Sequence, residues 1–118
     1  LALDNAVEGC VHETYAALIA VYQARCAEDP AVRAELSTIA DDETRHAALS
    51  WDIDRWLRPQ LTRGHQASVA RAQLQAVDNL RNMRELLEDE DERRLAGLPS
   101  RAHCLQMIDD LAPQLWTA

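Results

Sequence analysis

Asp42-Glu43-Thr44-Arg45-His46 interrupts a segment otherwise built of Ala, Leu and Ile at helical spacing. Residues three apart on a helix project to the same side, so Glu43 and His46 would offer a carboxylate and an imidazole to one cation. Outward from this stretch, Leu36, Ile39, Ala47, Ser50, Ile53 and Leu57 continue at three- and four-residue steps and predict a helix from about Pro30 to Leu57. Asp29-Pro30 opens it, because Asp caps a helix N-terminus and Pro is tolerated at the first helical position. Arg58-Pro59 closes it. Glu43 and His46 share the line of Ile39, Ile53 and Leu57, so the ligand face of this helix is expected to be its core face.

The rest of the chain reads the same way. Gly and Pro are few, Phe and Lys are absent, and Ala, Leu, Arg and Glu dominate the 118 residues, a mixture that favours helix at almost every position. A first helix is expected from about Asp4 to Ala27. A third carries the stripe Ala70, Leu74, Val77, Leu80, Met83 and Leu87, and the acidic cluster from Glu88 to Glu92 marks its frayed end or a loop. Gly97-Leu98-Pro99-Ser100 reads as a turn and an N-cap before a fourth helix, Arg101 to Trp116, with Leu105, Ile108, Leu111 and Leu115 inward and Pro113 bending or ending it. Short links imply antiparallel neighbours, hence an all-α antiparallel bundle in one domain: residues 1–57 a hairpin with the candidate site, residues 58–118 an extension packed on it.

In a tight antiparallel hairpin, residues at equal height have numbers that add to a constant, about 58 for a turn centred near Asp29. The level of Glu43 and His46 then meets Glu13, while Glu8 falls opposite Ser50, more than a helical turn away. Glu13 is therefore the favoured third ligand and Glu8 a weaker candidate. Ala6, Cys10, Ala17, Ala20 and Ala24 flank Glu13 at helical steps and leave room for an ion. A buried carboxylate there would need a cation, a proton or a partner to offset several kcal/mol. Asp42 and Arg45 lie one step off the ligand face, where they could hydrogen-bond a ligand imidazole and hold a carboxylate in place. An imidazole with carboxylates suits iron or manganese better than a thiolate-seeking metal, and zinc is chemically open. His12 lies about 100° round the helix from Glu13, which suits an exposed or interface residue, and His65 and His103 read as solvated. Tyr15 and Tyr22 are explained by amphipathic packing, and Trp51, Trp56 and Trp116 by core or interface anchoring. Cys10 and Cys104 read as small buried thiols, with Cys26 near a helix end and no zinc or redox pair among the three. Asp91-Glu92-Arg93-Arg94-Leu95 echoes the motif with Leu in place of His and reads as a solvated charge run.

The stretch Asp42 to His46 resembles the helix motif of bacterial multicomponent monooxygenases and, in looser form, of rubrerythrins and related oxidases, all in the ferritin-like di-iron carboxylate superfamily. Val7 to Thr14, Asp29 to Arg33 and Ile39 to Ala47 look like the second half of bacterial ferritin-like domain proteins. The similarity covers residues 4 to 57, and the Gly97-Leu98-Pro99 turn and Leu115-Trp116 ending add to it. Such proteins carry two halves, each giving one Glu from its first helix and a Glu-x-x-His from its second, which together hold two metals. The resemblance implies Glu13, Glu43 and His46 as metal ligands, with Asp42 and Arg45 supporting them. This chain has one half. Completion is expected from an upstream segment, which the abrupt start at Leu1 favours, from a companion chain, or from a second copy in a homodimer.

A net charge of −8 disfavours attraction to nucleic acid or to an anionic membrane face and draws in cations. No apolar run reaches the roughly 18 residues that span a bilayer. Two functions follow. One is a di-iron or di-manganese oxidoreductase that activates dioxygen or peroxide, or oxidises iron. The other is a metal-free helical scaffold or interaction domain in which the carboxylates and the histidine form a hydrogen-bonded network. A single structural zinc is a third, weaker reading.

Overall fold

The computed structural model describes residues 1–83 and 90–116, which are helical with no strand among them. A first rod runs through α1 (Ala2–Asp4), a π-helical stretch (Asn5–Glu13) and α2 (Thr14–Cys26) without a break. Ala27 turns the backbone to an extended conformation, and Asp29 then caps α3 (Pro30–Leu57), its Oδ1 accepting from the N–H groups of Ala31 at 2.8 Å and Val32 at 3.4 Å. α3 folds back along the rod, packing chiefly against α2 and the π stretch.

A 3-10 turn (Arg58–Gln60) leads to Thr62, whose Oγ1 accepts from His65 N at 3.1 Å and caps α4 (Arg63–Arg81). The expected acidic end contains a helix of its own, α5 (Glu90–Ala96), opening with Glu90, Asp91 and Glu92, where carboxylates meet the positive end of the helix dipole. Leu87 and Glu88 lie outside the described residues. Gly97, at φ +71°, ends α5: its N–H reaches the Arg94 carbonyl and that of Leu98 the Arg93 carbonyl, the paired bonds of a Schellman cap. A Cβ on Gly97 would also collide with the backbone of Ala27. Ser100 caps α6 (Arg101–Leu115), which contains Pro113.

The core joins Val11 of the π stretch to Ala76, Val77 and Leu80 of α4, Ile108 of α6, and Trp116, with Val7, Tyr15, Trp51 and Leu111 packed around them. Two expected stripes hold at their centres, Val77 with Leu80 and Ile108, and shift at their edges. On α4 the buried residues are Val69, Gln73, Ala76, Val77 and Leu80, while Leu74 and Met83 are exposed, because α4 packs on the π stretch and α1 as well as on α6. On α6 Leu115 is exposed and Trp116 is buried, its Nε1 donating to the Cys10 carbonyl at 2.8 Å. None of the described helices is long and apolar enough to cross a membrane.

Candidate metal centre

Three polar contacts and one glycine set the height of the rod against α3. Gly9 faces Ser50 so closely that a Cβ there would overlap the Ser50 side chain. Asn5 Nδ2 donates to the Ser50 carbonyl at 2.9 Å and Cys10 Sγ to the same oxygen at 3.5 Å. The Ser50 hydroxyl donates back to the His46 carbonyl at 3.0 Å, and Trp51 Nε1 donates to Thr14 Oγ1 at 3.0 Å. Glu13 is the residue before Thr14, and His46 lies one turn before Ser50, so this clamp brings the two to the same level. The sequence reading passed over Gly9, Asn5 and Ser50 as a group. The hairpin register places Ser50 within one residue of Gly9, and a glycine that near a small residue across the turn is the signal that marks a close approach.

The result is a cluster of Glu13, Glu43 and His46 in which one ligand atom from each lies within 4.8 Å of the others. It is the one three-residue group of this kind among the described residues. His46 Nδ1 and Glu13 Oε2 stand 4.0 Å apart. Two atoms that each bind one ion at about 2.1 Å are at most about 4.2 Å apart. A small rotation of the Glu43 side chain, or of its neighbours, would therefore close the set. Two carboxylates and an imidazole are a donor set for iron, manganese or zinc.

The cluster lies on an open face, which corrects the expectation that ligand face and core face coincide. The His46 side chain is 59% exposed and that of Glu13 40%. Ile39, Leu49 and Trp56, also on α3, are 46%, 58% and 68% exposed, and the residues that α3 buries are Ala40, Ala47 and Ser50. The seam between rod and α3 runs along the small residues, so the line of Ile39, Glu43 and His46 sits at its rim. Water reaches the carboxylates, and the desolvation that would have compelled a cation is lifted.

The other candidates stand apart from the cluster. Glu8 Oε2 pairs with His12 Nδ1 at 3.0 Å, one turn along the rod. Asp42 and Arg45 form an exposed ion pair with each other. Arg94 of the motif-like charge run pairs with Glu28 and Asp91, and Arg93 with Glu90. Of the cysteines, Cys10 is buried, Cys104 half-buried and Cys26 exposed. Burial, reinforced by the Asp54 charge and opposed by Arg58, pushes the Cys10 thiol up to about 12. Burial also raises the Tyr22 hydroxyl, with Cys26 adding to the shift, and the Tyr22 ring meets His103 edge-on at 4.9 Å.

No protein-family model, curated protein or solved structure matches the chain.

Proposed function

We propose that Glu13, Glu43 and His46 form one half of a dinuclear iron or manganese carboxylate site, and that the completed protein is an oxidoreductase acting on dioxygen or peroxide, or oxidising ferrous iron. The observation that supports this reading is the convergence of three ligand atoms at the open rim of the hairpin, with Ile39 and Leu49 exposed about one turn to either side along α3. An apolar surface around a polar centre fits a second helical hairpin laid across it, supplied upstream in the same polypeptide, by a companion chain or by a second copy. The second hairpin would bring the remaining carboxylates and histidine and would exclude water. When bound, the metal pair would supply the redox chemistry. Glu13 and Glu43 would balance its charge and hold its position, and His46 would give a neutral nitrogen donor from α3.

The exposure of His46 and Glu13 favours a second reading, a metal-free scaffold or interaction domain, because solvated carboxylates need no cation. Anaerobic titration with Fe(II) or Mn(II), followed by metal analysis and sedimentation, separates the two. The oxidoreductase reading expects about one metal per hairpin, lost in Glu43→Gln and His46→Ala. The absence of stoichiometric metal in the assembled protein would leave the scaffold.

A further inference from the structure

A pocket of about 180 Å³ opens where the rod meets α4, α6 and the turn after α5, and it shares no residue with the metal cluster. Ile108 and Leu80, 1% and 6% exposed, make its floor, and Ile19 and Leu105 line its sides. Among the described residues, its charged lining residues are Arg93 and Arg101, with no carboxylate in that set. In a chain of net charge −8 both charged groups described at this pocket are cationic, and one of them, Arg93, is paired with Glu90.

Both arginines have donors to offer. Arg101 is exposed, and its Nη1 donates to the Met83 carbonyl at 2.6 Å, which engages one of the five N–H groups of a guanidinium. Arg93 pairs with Glu90, whose side chain is 67% exposed. An ion pair of that kind contributes little and yields to a better-placed anion. An oily floor under a few convergent polar groups is the general form of a small-molecule site. An engineered apolar cavity of about 150 Å³ holds benzene, so this pocket accepts a ring or a short branched chain with its polar head at the mouth. The planar fork of a guanidinium matches a carboxylate in two parallel hydrogen bonds.

We infer that the pocket binds a small organic carboxylate with an aryl or short branched-alkyl tail, the tail seated on Ile108 and Leu80 and the carboxylate held by Arg93 and Arg101. The test is a methyl-resolved NMR titration of the wild-type protein with phenylacetate and with its neutral isostere phenylacetamide. Phenylacetate is expected to shift the Ile108 and Leu105 methyls with a Kd on the order of 0.1 to 1 mM, and the amide to bind at least about tenfold more weakly. The double variant Arg93→Gln/Arg101→Gln should bring the acid down to the amide's affinity. Leu105→Trp, which fills the pocket, should abolish both. Equal affinity of acid and amide for the wild-type protein, shifts confined to methyls outside the pocket, or no saturation by about 10 mM each overturns the assignment, whether or not the variants fold.

Discussion

At the scale of single residues, burial separates Cys10, closed off from solvent, from the proposed metal ligands, which lie at the open rim. Cys10 is fully buried, and the folded protein holds its proton more tightly than the unfolded chain does. Its contribution to stability is therefore complete below the ordinary thiol pKa of 9.0 and is lost as pH climbs from there toward about 12. Denaturant melts between pH 8 and 10.5 should show stability falling above about pH 9, with a flatter profile in Cys10→Ala. At pH 8 iodoacetamide should label the exposed Cys26 in the native protein and reach Cys10 only after unfolding. Native labelling of Cys10 would contradict its burial. Glu43 and His46 behave oppositely. With both at the rim, Glu43→Gln and His46→Ala should change metal-free stability by no more than about 0.5 kcal/mol while removing Fe(II) binding. A large loss of stability in the melt would mean that these side chains hold the fold.

Among the elements, local chemistry was legible in the sequence and partner choice was not. Asp29, Ser100 and Gly97 act within a turn of their own position, so the start of α3, the start of α6 and the bend before it could be read from neighbours alone. The height of Glu13 against α3 was legible for a related reason, since a short turn leaves a hairpin little freedom of register. Which face of α3 would be covered was not. Ile39 and Ala40 differ in size in favour of Ile39, yet the rod approaches along Ala40, Ala47 and Ser50, because small residues allow the closer packing. The π stretch was equally hidden: nothing in Asn5 to Glu13 marks a five-residue over a four-residue hydrogen-bond repeat. Gly9→Ala tests the clamp. It should cost about 1 to 3 kcal/mol by overpacking against Ser50. In a double-mutant cycle with Ser50→Gly the two changes should couple favourably, because removing the Ser50 side chain makes room for the new methyl. Strict additivity would place the cost elsewhere. Replacing the cap, Asp29→Ala, should cost about 1 kcal/mol by urea denaturation.

For the whole molecule, the governing feature is a core on one side of the hairpin and an open face on the other. α4 and α6 close over Val7, Val11 and Tyr15 of the rod, whereas Ile39 and Leu49 remain exposed about one turn to either side of the cluster, and Trp56 further along α3. If a second hairpin covers this face, Ile39→Glu with Leu49→Glu should abolish metal-dependent association in sedimentation velocity and leave the monomer melt within about 1 kcal/mol of wild type. Association that survives both charges would locate the interface elsewhere. The three tryptophans are graded in the same way, Trp116 sealed, Trp51 half-covered and Trp56 at 68% exposure, and the gradient gives the molecule its own optical readout. Iodide should quench the red-shifted emission of Trp56 selectively, and any guest settling on the open face should turn that signal blue and shield it, while the indole of Trp116 stays silent until the chain unfolds.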